Sequence, residues 1–414
     1  MRSRLFAICL NLTLLLVWPA AVWSHGPVDR VAEGSDAEAR MFFADAANGD
    51  LVSVDLPAGA EMSRLSTPPY IMSLALSTDE RHLFAMRGRN TDHDWVTVVH
   101  TGIDSGEGGM MTPPYVARTI PVATPGPGDD SRMITVGGKD ALLMEGTGEL
   151  VIMDSGDFTG LAPVPARTYK LAAPDHYFYI ESGENLYIGH LRKGYIQVLN
   201  RQTGEEVTRV EGCPVVHGKA HDKATGRLFY ACMRDIMVLG TRGDEMNQVV
   251  ARIPYPEQQR VGAFLHGPGR LLWGYTEGTL PIIYRFDAAV EPYTMEVVSL
   301  GASMRQWSTE GGKLLLSLTR GGVLQIRDGA SGELLRSVNV SKPFTDDYHE
   351  HVDKAILPDI KTMGGDAYVS LPHEGRIAVV DLQTAEIKRY FDTGGEPTRI
   401  VLIEAHAEAK AASN

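Results

Sequence analysis

One short unit of strands and turns recurs along this chain, and that recurrence limits the possible folds more than any other feature. The unit reads strand, Gly-containing turn, second strand ending near Asp or Asn, TGE-type turn, third strand. It is plain in residues 40–61 (RMFFADAANGDLVSVDLPAGAE), 141–158, 185–207, 313–335 and 367–389, and weaker copies start near Arg81, Arg227 and Leu271. LVSVD, YIQVL and IAVVD alternate with period two, the pattern of strands. Glycine sits in the turns because hairpins need positive φ. Eight copies at about 46 residues each match the length of a four-stranded propeller blade. The expected fold class is all-β, a single β-propeller of four-stranded blades, with eight blades favoured and seven the alternative. An open solenoid would need polar end caps, which the first and last copies lack. A closed ring needs none, and residues 399–403 are expected to complete the sheet begun by residues 41–45.

Residues 1–24 have the form of a secretory leader. Arg2 and Arg4 precede an apolar run over 5–17, and small residues lead up to Ser24. The run is short for a membrane span, an uncleaved anchor being the alternative. The expected organisation is a signal peptide at 1–24, an N-terminal tail at 25–38, a propeller at 39–405 and a disordered C-terminal tail at 406–414. Cleavage would remove Cys9 and leave Cys213 and Cys232 at the ends of neighbouring strands. In an exported chain two such cysteines are expected to pair, the alternative being two buried thiols. The net charge of −13 becomes more negative by two when the leader takes Arg2 and Arg4 away. That argues against nucleic acid and against anionic membrane surfaces. The expectation is a periplasmic monomer, not inserted in a membrane.

The inner strand of each propeller blade lines the central channel, so residues at its start converge on one axis. Those openings are placed at Tyr70, Arg132, His176, His217, Arg260, Arg305, Lys361 and Arg399. A blade core would not select Arg, His and Lys there. Either the channel mouth holds a metal or an anion, or it is a water-filled tunnel with ordinary polar walls. His176 and His217 open adjacent blades and are the first metal candidates. Zinc needs three or four donors, and His349, His351 and Asp353 in the HEHVD stretch are the candidates to complete a shell. Residues 104–130 and 341–359, the second of which contains HEHVD, read as long insertions, where binding residues concentrate. Met110 and Met111, in the earlier one, are soft-metal donors or simple packing residues. Arg132, Arg305 and Arg399 suit an anionic solute or peptide instead. No G-x-S-x-G, P-loop or H-E-x-x-H occurs, so a propeller enzyme such as a lyase or lactonase ranks third and the chain is expected not to be an enzyme.

Residues 211–232, EGCPVVHGKAHDKATGRLFYAC, resemble the Cys-Pro-x-x-His-Gly stretch of AztD-type periplasmic zinc metallochaperones, which are β-propellers. GTGELVIMD at 146–154, PDHYFYI at 174–180 and the closing blade with GGEPTRI resemble further parts of that family. The resemblance implies zinc as ligand, His176 and His217 at metal positions, a Cys213–Cys232 disulfide, and transfer to the periplasmic solute-binding protein of a zinc transporter. Two departures matter. The early loop SGEGGMMTPPYV has no histidine, and Arg132 stands where the family has one. One family zinc site is therefore expected to be missing and the other to have lost a ligand.

Overall fold

The computed structural model describes residues 37–68, 71–87, 95–103, 111–121, 131–153, 167–276, 282–300, 303–344 and 356–404. These form eight four-stranded antiparallel sheets arranged as a propeller, so the count is eight and not seven. Blades II to VIII each use four consecutive strands, over residues 71–121, 132–170, 177–211, 219–254, 261–299, 303–339 and 360–392. The first strand of each is innermost, since the first strands of neighbouring blades touch one another. Blade I is composite. Three N-terminal strands, Ala39–Asp45, Asp50–Leu56 and Ala60–Ser66, are completed on the inside by the last strand, Pro397–Glu404. Phe42 faces Val401 and Ala39 faces Glu404 in that pairing. The leader, residues up to 36 and the C-terminal tail lie outside the described residues.

Eight apolar clusters fill the eight junctions between blades. Phe178, Tyr187 and Ile196 of blade IV, for example, pack on Leu228, Tyr230 and Met237 of blade V. This explains why the middle strands are buried on both faces. Residues 51–55 are all buried, including Ser53, which shares a hydrogen bond with Ser63. The alternation in LVSVD therefore separates two packed faces rather than an inside from an outside. The outer strands carry the water-facing surface, as Leu334–Asn339 shows with every residue but one exposed.

The stretch read as one early insertion is partly regular structure. Tyr115–Pro121 is the outer strand of blade II, paired with Trp95–His100. Its flanking prolines hide a strand whose own sequence, YVARTIP, is β-prone. Met111 is 1% exposed in the cluster between blades I and II, which makes it a packing residue. Met110 lies outside the described residues.

Candidate metal centre

The site is built from the backbone outward. Asp175 is fully buried and accepts hydrogen bonds from the backbone N–H groups of His176 at 2.8 Å and of Arg192 and Lys193 at 3.1 Å. That fixes the entry to the blade IV inner strand, Tyr177–Ser182. In blade V, the segment leading to His217 is tied down by a disulfide between Cys213 and Cys232, whose Cα atoms are 4.9 Å apart. The pairing expected from the sequence is thus present. The His217 N–H donates to the Ala231 carbonyl at 2.9 Å. In blade IV the Leu191 N–H donates to the His176 carbonyl at 3.0 Å. The two histidines therefore stand at the openings of inner strands in adjacent blades, one residue before Tyr177 and two before Lys219. Gly218 allows the close approach of the next blade, since a Cβ there would lie 3.2 Å from the backbone N of Ala263. These features account for each fixed residue of Cys-Pro-x-x-His-Gly except the proline.

The imidazole centroids of His176 and His217 are 5.8 Å apart, with the Phe178 ring 4.9 Å from one and 4.8 Å from the other. Two imidazoles on one tetrahedral zinc, with Zn–N bonds near 2 Å, would have centroids about 5 Å apart. Both rings are anchored through Nδ1. His217 Nδ1 lies 2.7 Å from the Gly262 carbonyl, which only accepts, so Nδ1 carries the proton and Nε2 the lone pair. His176 Nδ1 lies 3.0 Å from the carboxylate of Glu145, a residue with no solvent exposure. An imidazole held by a carbonyl or carboxylate behind one nitrogen presents the other to a metal. His176 departs from that arrangement in one respect, since its Nε2 stands 3.0 Å from Arg132 Nη2.

Arg132 complicates the pair. It opens the blade III inner strand, Arg132–Val136, and its Nη2 lies 2.9 Å from Nδ1 and 3.0 Å from Nε2 of His176. It also lies 3.3 Å from the Glu145 carboxylate. A guanidinium stays charged at any accessible pH, so a cation already stands against His176. Among the described residues no group of three or more His, Cys, Asp and Glu side chains is placed to hold a metal ion.

Sequence reasoning missed two residues here, Glu145 and Lys219. Lys219 opens the blade V inner strand, Lys219–Asp222, donates to the Tyr179 carbonyl, and sets its ammonium 4.9 Å from the Tyr179 ring. It is solvent-reachable yet crowded by protein, as a group inside a channel is. Loss of bulk water, with Arg132 adding repulsion, lowers its pKa to about 8. Arg260 donates to the Val215 carbonyl at 3.1 Å, beside the His217 loop. Arg399 stands at a register shift in the inner strand of blade I, with φ of 53°. It is four blades round the ring from His217 and outside this cluster. The backbone of Arg305 belongs to the blade VII inner strand, and its side chain lies outside the described residues. So do His349, His351 and Asp353.

No helix among the described residues is long and apolar enough to cross a membrane. No family model and no curated protein matches the sequence. Among solved structures, the chain is similar to apo AztD from Citrobacter koseri, with a TM-score of 0.70 and 18% identity over 89% of this chain and 98% of that one. A second crystal structure of Citrobacter koseri AztD gives 0.71 and 18% over 88% and 97%. Dihydro-heme d1 dehydrogenase NirN in complex with DHE gives 0.64 and 13% over 92% and 78%. At these identities the likeness shows a shared fold.

Proposed function

We propose that this protein is a periplasmic metal carrier that holds zinc at the channel mouth through His176 and His217 and yields it to a transport partner. The observation that carries the reading is the neighbouring pair of imidazoles at the openings of adjacent inner strands, each with Nδ1 held by the protein. The fold shared with AztD supports it. The disulfide and the leader-like first 24 residues support an oxidising, exported setting.

Two imidazoles fill half of a tetrahedral shell. The other half is open to water, to an incoming ligand of the solute-binding partner, or to His349, His351 and Asp353. A half-built shell suits a carrier, because a partner's ligands can enter before the carrier's leave. Glu145 keeps the His176 proton on Nδ1 and so keeps Nε2 basic. Arg132 has to swing off His176 before metal binds, and its return to the imidazole and to Glu145 favours release. No bond is made or broken in the cargo, so the reading is of a binding protein and not an enzyme.

The test is metal content by mass spectrometry on protein isolated from the periplasm, followed by zinc titration against a chromophoric chelator. About one tightly held zinc per chain is expected, lost in the His176→Ala/His217→Ala double variant. A wild-type protein that never competes with the chelator would remove this reading.

A further inference from the structure

We propose that the channel mouth also carries an oxyanion site, formed by Lys219 and Arg132 on either side of the blade IV inner strand, which takes a carboxylate or phosphate group of a small solute. Arg132 reaches in from blade III and Lys219 from blade V. They meet consecutive residues of the strand between them. The Arg132 guanidinium carbon lies 5.9 Å from the Phe178 ring, and the Lys219 ammonium engages both the carbonyl and the ring of Tyr179. Register turns both toward blade IV, since Arg132 is opposite Leu143 and Lys219 opposite Tyr230, and both of those partners pack on the blade IV side of their own sheets.

The charges at this point do not balance. Glu145 is the carboxylate of the cluster, and it is wholly buried and already engaged by Arg132, by His176 and by the Tyr177 N–H at 3.3 Å. Lys219 makes no salt bridge among the described residues, and its hydrogen bond ends on a neutral carbonyl. Among the described residues Lys219 thus has no carboxylate partner, and the charge that acts on it is the like charge of Arg132. Like charges turned toward one channel repel, and a bound counter-charge relieves that repulsion. An oxyanion supplies it. The planar fork of arginine matches a carboxylate or phosphate, and lysine adds a point charge.

This site does not depend on the metal reading, and the two can be separated. The experiment is calorimetric titration of malonate, and separately of inorganic phosphate, into the metal-free full chain. Saturable binding of either anion is expected, weakened at least tenfold in Lys219→Gln and in Arg132→Gln, largely retained in Lys219→Arg, and unchanged in Lys388→Gln on the outer strand of blade VIII. The tighter of the two anions identifies the group recognised. Thermal melts of each variant separate lost binding from lost folding. Absence of saturable binding to the wild type by both anions, or equal binding in both Gln variants, would overturn the proposal while leaving the zinc titration to stand or fall by itself.

Discussion

His176 answers to two partners that act on it in opposite senses. Glu145 lies 3.0 Å behind its Nδ1, while the Arg132 guanidinium lies 3.0 Å from Nε2 of the same ring, and under the proposed function the first would strengthen the ring as a ligand and the second would compete with the metal. The two substitutions should therefore move zinc affinity in opposite directions. Glu145→Gln keeps the shape but loses the charge behind the imidazole, and should weaken zinc about 10- to 100-fold. Arg132→Gln removes a neighbouring cation and should tighten zinc on the order of tenfold. Chelator competition on the two variants decides it, and shifts of the same sign would mean that both residues merely hold the fold. That the two histidines lie near each other was legible in the sequence, because the openings of inner strands in successive blades converge on the channel. Glu145 was not, because it follows the second strand of blade III, Lys139–Met144, and reaches His176 only across the junction with blade IV. Lys219 was hidden in plain sight, two residues beyond His217, since nothing in VHGKAH says which way the lysine turns.

The loop from Gly212 to His217 is the piece of backbone on which the site most depends. It crosses from the blade IV outer strand to the blade V inner strand, and the bond from Cys213 to Cys232 closes a separation of 19 residues. Closing a loop of that size constrains the unfolded chain by about 3 kcal/mol. The same bond ends one residue after Ala231, whose carbonyl holds the His217 backbone. The Cys213→Ser/Cys232→Ser double variant should lower the unfolding free energy, read from urea titration, by an amount of that order. It should also weaken zinc, because His217 is then held by the loop's hydrogen bonds alone. Retained zinc affinity in a destabilised variant would show that the disulfide braces the blade without positioning the ligand. Strands and their Gly turns were readable because each is encoded within a few residues. The outer strand of blade II was obscured by Pro113 and Pro114 before it and by the Gly-Pro run after it, local breakers that the pairing with Trp95–His100 overrides.

Ring closure makes the whole molecule one cooperative unit, because every blade is packed on both sides and blade I joins the two ends of the chain. Closure was foreseeable from the first and last copies of the repeat. The buried polar groups that came with it were not, since their burial exists only once neighbouring blades meet. Those groups give the molecule a pH dependence. His190 has no solvent exposure, and burial lowers its pKa against the opposing pull of Gln197 and Asp175. His82 is lowered in the same way, burial outweighing Asp79. The unfolded chain takes up these protons near pH 6.5 and the folded one resists them. Stability is therefore complete above pH 6.5 and declines as the pH falls below it, until the lowered folded values are reached. Asp222 belongs to a separate, more acidic window. Burial alone would raise its pKa, but the hydrogen bonds from Arg270 and Thr225 hold it below the usual value. Its contribution is present above the unfolded carboxyl value and lost as the pH falls through the folded one. Urea midpoints taken every half unit from pH 7.5 to pH 5 should fall steadily below 6.5. His190→Gln should start lower, having lost the ring packing against Tyr177 and Tyr195, yet show a flatter decline. An unchanged slope in that variant would place the acid sensitivity elsewhere, with His82 the next residue to replace.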